Sequence, residues 1–214
     1  TGVQNVSLRV TDGNGGQAIQ NFTINVTDTT PPNVTLVSPA NATVYRNNSA
    51  NVTFAASDNA GITSCNVLVN GTTFSMYSAS GTLNLSVTVT GNISLSTGWN
   101  NVTVVCADKS GLLNVSSSII LFTDQTPPVV TITSPVSGGN TSGNATLTYS
   151  VSDATTDKVQ ILVNGAFVMF GNASGTIILN MNEGLGQTVT VLANDSVGWT
   201  SNASVTFNVD RTAP

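Results

Sequence analysis

The sequence predicts an all-β chain of two-sheet sandwich modules placed end to end. Three observations predict it. A short phrase recurs at module-sized intervals, as "DTTPP" from Asp28, "DQTPP" from Asp124 and "DRTAP" from Asp210. Apolar residues alternate with polar ones at period two and are rich in β-branched types. Clusters of Gly, Asn, Asp and Ser separate these short runs, and no helical stripe of any length interrupts them, which is the pattern of a sandwich.

The repeat sets the element order. Residues 1–28 carry "NVSLRVTDGNG" from Asn5, which matches "NVTVVCADKSG" from Asn101 and "TVTVLANDSVG" from Thr188. They read as the last two strands of an incomplete module. Residues 29–124 form one full module and residues 125–210 a second. The two share "VLVNG" (Val67–Gly71) with "ILVNG" (Ile161–Gly165), and "AASDNAG" (Ala55–Gly61) with "SVSDATT" (Ser150–Thr156). Residues 211–214 read as the linker to a following module. Consecutive prolines at Pro31–Pro32 and Pro127–Pro128 fix φ and favour an extended course, so the joints read as short and stiff.

Composition excludes several classes. Charged residues are 7% of the 214, net charge is −5, and Lys plus Arg number 5. So few cations cannot track a phosphate backbone, which excludes nucleic acid as a partner. The longest apolar run, "IILF" from Ile119, is far short of the roughly 18 residues of a membrane helix, so no membrane insertion is expected in this segment. No signal peptide opens the chain, which reads as a mature or excised segment. With no His and a single Glu, Glu183, no acid–base pair or triad stands out, and no enzyme is expected.

The Asp-x-Thr-Pro-Pro linker, the late hairpin of the form xVTVxAxDxxG and the early Ser-Asp turn together resemble tandem bacterial immunoglobulin-like (Big-type) repeat modules of bacterial and archaeal cell-surface proteins. The resemblance covers essentially the whole chain. It implies immunoglobulin-like β-sandwiches in tandem and an extracellular, cell-surface setting. Such repeats often carry Asn four residues after the hairpin Asp, where this chain has Gly16, Leu112 and Trp199.

Three sets of residues stand out within that frame. Asn-x-Ser/Thr sequons occur at Asn5, Asn21, Asn25, Asn33, Asn41, Asn47, Asn51, Asn70, Asn84, Asn92, Asn101, Asn114, Asn140, Asn144, Asn172, Asn194 and Asn202. Chance pairing would give roughly seven. Alternating strands write Asn-Val-Thr for geometric reasons, because i and i+2 share a face. Asn is nonetheless disfavoured in strands, and Lys or Glu would serve the same face, so N-linked glycans are expected. Cys65 and Cys106 align with the inward Val159 and Ala193, on strands that are neighbours in the sheet the resemblance implies, so a disulfide is expected. Finally, Asp recurs at fixed places. The resemblance puts Asp28, Asp58 and Asp108 at the entry of one module, and Asp124, Asp153 and Asp195 at the entry of the next. Three carboxylates together suit calcium, which would neutralise them and stiffen the joint. The competing reading is that each Asp simply closes an Asx turn.

The functional expectation is a structural repeat segment of an extracellular, heavily N-glycosylated filament, stalk or rod. Its partners would be neighbouring modules or identical subunits in a polymer. The alternative is an adhesin-type module that binds a receptor or carbohydrate. For that reading Trp199 is expected to be exposed, with Trp99 packed at the core edge.

Overall fold

The computed structural model describes residues 2–80 and 84–212, and every regular element among them is a strand. Ala213 and Pro214 of the last linker lie outside the described residues. Two compact units form, residues 1–43 with 48–121 and residues 44–47 with 122–214. In chain order the strands are β1 (Gly2–Thr11), β2 (Gln17–Val26), β3 (Asn33–Ser38), β4 (Val44–Tyr45), β5 (Ser49–Val69), β6 (Thr72–Ser78), β7 (Asn84–Ser94), β8 (Gly98–Asp108), β9 (Leu113–Val115) and β10 (Ile119–Thr123). There follow β11 (Val129–Ser134), β12 (Asn140–Thr141), β13 (Ala145–Ser152), β14 (Thr156–Val163), β15 (Ala166–Gly171), β16 (Ser174–Leu179), β17 (Gly184–Asp195) and β18 (Thr200–Val209).

The repeat in sequence is a repeat in topology. In the later module, β11–β13–β16 form one sheet and β12–β18–β17–β14–β15 the other. The earlier module has the same order, but its two sheets are joined because β5 runs through both. Residues 49–57 of β5 pair with β7, and residues 33–38 of β3 pair alongside; residues 62–69 then pair with β8. Between Ser57 and Ile62 the register breaks, and Gly61 takes a positive φ of 96° at that corner. These are immunoglobulin-like β-sandwiches. The hairpin β1–β2 is a two-stranded sheet by itself, and it groups with the first unit.

Alternation builds the cores. Val102, Val104 and Cys106 of β8 are fully buried, as are Val189, Val191 and Ala193 of β17. Phe54, Ile62 and Leu121 fill the first core, and Leu147, Ile161 and Phe207 fill the second. The shared "VNG" phrase makes the two-residue hairpin turns of β5–β6 and β14–β15. Asn70 (φ 49°) with Gly71 (φ 85°), and Asn164 (φ 51°) with Gly165 (φ 81°), supply the two left-handed residues such a turn needs.

Cys65 and Cys106 face each other across the β5–β8 pair and are bonded, with Cα atoms 4.1 Å apart. Val159 and Ala193 are paired in the same way across β14–β17, both buried. Replacing Cys65 and Cys106 together by Ala should therefore cost the first module about 4 kcal/mol, the chain-entropy value for a loop of that length. Introducing Val159→Cys with Ala193→Cys should close a bond in the second module and stabilise it by up to about 3–4 kcal/mol. Calorimetry under oxidising and reducing conditions reads both.

Candidate functional site

Four of the recurring aspartates lie at the ends of core-facing registers. Along β5 the buried residues Ala50, Val52, Phe54 and Ala56 lead to Asp58, which is 9% exposed. Along β8, Val102, Val104 and Cys106 lead to Asp108, which is 2% exposed. In the second module Leu147, Tyr149 and Val151 lead to the half-buried Asp153, and Val189, Val191 and Ala193 lead to Asp195, also 2% exposed. Period-two alternation thus carries a carboxylate into the rim of each core.

The loops that follow these aspartates are held by their carboxylates. In the late hairpins Asp12, Asp108 and Asp195 each accept, through Oδ1, the backbone N–H four residues on, from Gly16 (2.7 Å), Leu112 (2.9 Å) and Trp199 (2.8 Å). The donor is a backbone group, so the side chain at that position is free to vary, as it does. At the corners Asp58 Oδ1 accepts the Ala60 N–H and Asp153 Oδ2 the Thr155 N–H. The hairpins of Asp108 and Asp195 are each tied to their corner by one backbone bond, from Lys109 N–H to the Gly61 carbonyl and from Ser196 N–H to the Thr155 carbonyl.

The Asp-x-Thr phrase has its own local cause. Asp28, Asp124 and Asp210 each accept the N–H of the Thr two residues on, at 3.0 Å in all three cases, which is an Asx turn. The Thr126 and Thr212 hydroxyls add a second bond to the same oxygen. These turns bring the linker aspartate to the other two. One carboxylate oxygen from each of Asp28, Asp58 and Asp108 lies within 4.8 Å of the others, and the same holds for Asp124, Asp153 and Asp195. The Thr30 N–H holds the Asp28 carboxyl below the usual carboxylate range, against the opposing effect of burial. Burial pushes Asp124 up, but hydrogen bonds from Thr155 and Thr126 outweigh it and leave that carboxyl low.

Residues 32–104 match the model of the family described as bacterial Ig domain. That match lies within the first module. No curated protein matches the chain. Among solved structures it is similar to the fibronectin(III)-like modules of Clostridium thermocellum CbhA, at 17% identity and TM-score 0.40 over 83% of this chain and 94% of that one. It is also similar to a Dscam structure concerned with isoform specificity, at 10% identity and TM-score 0.45 over 95% of this chain and 53% of that one. A third is the Ig1-2 module of the Drosophila receptor protein tyrosine phosphatase DLAR, at 18% identity and TM-score 0.32 over 85% of this chain and all of that one. Bacterial Ig domains typically occur in surface proteins, and modules of the Ig and fibronectin-III type are generally non-catalytic.

The sequons of the Ig modules and the hairpin fall outside the cores. Fifteen of the Asn residues are exposed, and two, Asn114 and Asn194, are half-buried. In those two, Nδ2 donates to a backbone carbonyl, of Pro32 and of Asp195 respectively. The hairpin sorts its residues most clearly. Its register pairs Val6 with Phe22 and Asn5 with Thr23, so residues of one parity share a face. Leu8, Val10, Phe22, Ile24 and Val26 lie on one face, and the sequon residues Asn5, Asn21 and Asn25 on the other. The buried Asn100 is not in a sequon; it binds the Ser96 N–H and the Ser96 and Gly98 carbonyls, so it is a loop brace.

The two tryptophans reverse the sequence expectation. Trp99 is 68% exposed, whereas Trp199 is half-buried within the second unit. The Trp199 indole N–H donates to the Asp124 carbonyl, and the Arg46 guanidinium sits 3.8 Å from its ring centroid, a cation–π contact. Both partners are remote in sequence, which is why the local pattern around Trp199 did not disclose them.

The third linker provides a clean titration. The Thr212 hydroxyl and N–H hold the Asp210 carboxyl below the usual carboxylate range. A depressed pKa stabilises the turn above the unfolded carboxylate value, and that stability is lost as pH falls through the folded value. Carboxyl NMR titration should place Asp210 below an ordinary Asp, and Thr212→Val should raise it.

Proposed function

We propose that the chain is a structural repeat segment of an extracellular, heavily N-glycosylated surface filament, stalk or rod. The observation that carries this reading is the placement of the sequons. All seventeen avoid both cores, and in β1–β2 they occupy, together with Val3 and Ile19, the face opposite Val6, Leu8, Val10, Phe22, Ile24 and Val26. A glycan adds a bulky, solubilising group where a charged residue would otherwise stand, which suits a chain with only 7% charged residues. The intramodule disulfide supports an oxidising compartment. The segment acts by spanning distance, without catalysis.

In this reading the partners are further modules of the same kind, from the same chain or from an identical subunit. The apolar face of β1–β2 supports it, since Leu8, Val10, Phe22, Ile24 and Val26 are all exposed and two strands alone cannot bury them. An adhesin-type role is the second reading, and β15 favours it. This edge strand exposes Phe167, Val168, Met169 and Phe170, an apolar run of the kind that takes up a partner. Phe167→Ser with Phe170→Ser should abolish binding in a glycan- or receptor-array assay if that reading holds, and should leave filament assembly intact if it does not.

Glycopeptide mass spectrometry of native material tests the main reading. Sugar is expected at most of the fifteen exposed sequons, with Asn114 and Asn194 bare because they are half-buried and their Nδ2 groups donate to backbone carbonyls. Bare Asn throughout would sink the glycoprotein reading. Electron microscopy of the same material should show continuous filaments or stalks.

A further inference from the structure

The two aspartate clusters contain an imbalance that Asx turns leave unexplained. In Asp108 and Asp195 the loop amides occupy Oδ1 only. The Oδ2 atom of each is buried and has no hydrogen-bond donor, and so is Oδ2 of Asp28. A buried carboxylate oxygen without a donor is costly, and one beside two further carboxylates is more so. Among the described residues no Lys or Arg forms an ion pair with any of the six; the ion pair present joins Lys158 to Asp157.

The same defect recurs at equivalent places in two modules that differ in most other residues. The third hairpin provides an internal comparison. Asp12 closes an equivalent loop through Oδ1 in β1–β2, a hairpin without the corner and linker segments that accompany Asp108 and Asp195. Loop closure therefore requires the aspartate and its Oδ1 alone.

We propose that Asp28, Asp58 and Asp108 bind one calcium ion, and that Asp124, Asp153 and Asp195 bind a second. The donors are oxygens only, with three formal negative charges per site, which suits a hard divalent cation. The sequence has no His, and its two Cys are bonded to each other, so no imidazole or free thiolate competes for a softer metal. The three carboxylates come from three separate segments, the hairpin joined to the corner by a backbone bond and the corner to the linker by a side-chain bond from Asn59 to Asp28 or from Thr155 to Asp124, an irregular cage that fits the variable geometry of calcium better than the strict octahedron of magnesium. The inference rests on these residues and goes beyond the surface-filament reading, which would stand without it.

Isothermal titration of the full chain, stripped with chelator, tests the proposal with calcium chloride and, separately, magnesium chloride. The expected result is two calcium ions per chain and a thermal midpoint several degrees higher in millimolar calcium, reversed by EDTA. Asp108→Asn and Asp195→Asn should each remove one ion, and Asp12→Asn neither. Asp58→Asn and Asp153→Asn, at the more accessible corners, repeat the test if the buried variants fail to fold, as judged by circular dichroism. A folded chain that takes up no calcium at millimolar concentration overturns the proposal. So does unchanged stoichiometry in the folded Asn variants, or binding of magnesium in preference.

Discussion

In β5, β8, β13 and β17 the side chains alternate between core and solvent, and the core-facing register runs unbroken into an aspartate. That constraint organises the rest. The inward positions of β5 and β8 set Cys65 against Cys106, and those of β14 and β17 set Val159 against Ala193. The outward positions take Asn, Thr and Ser, which puts the two polar residues of a sequon on one face. The terminal inward position then delivers Asp58, Asp108, Asp153 and Asp195 to the rim of a core, where a carboxylate needs partners. One alternation thus serves packing, the cross-link, the solvent face and the acidic clusters.

Much of this was legible in the residues. The spacing of the Asp-x-Thr phrases marks the modules because an Asx turn needs those residue types at that spacing, and it recurs at Asp28, Asp124 and Asp210. The Cys pair was legible because its counterparts are apolar. The grouping of the aspartates followed from their recurrence combined with the fold. Their burial was also written in the parity of Val102, Val104, Cys106 and Asp108, although the turn-forming habit of Asp obscures that signal.

Other features depend on neighbours distant in sequence and could not be read locally. Trp199 is covered because Arg46 and the Asp124 carbonyl reach it. Asn100 looks like any other polar residue at the start of a strand until the loop at Ser96 and Gly98 closes around it. Asn114 and Asn194 have the same triplet pattern as the exposed sequons, and only their burial beside backbone carbonyls sets them apart. The continuity of β5 through both layers is likewise a property of the Asp58–Gly61 corner, which the sequence presents simply as a turn.

The uneven distribution of cysteine has a mechanical consequence. The bond between Cys65 and Cys106 encloses a sequence separation of 41 residues. Pulled from its ends, the first module can pay out only the chain outside that loop. About 140 Å of contour, at 3.3–3.6 Å per residue, stays locked until the bond is reduced. The second module, with Val159 and Ala193 in the same places, has no such stop and can unravel completely. Under load the two sandwiches therefore differ in extensibility, and a single covalent bond decides which of them acts as the tether and which as the slack.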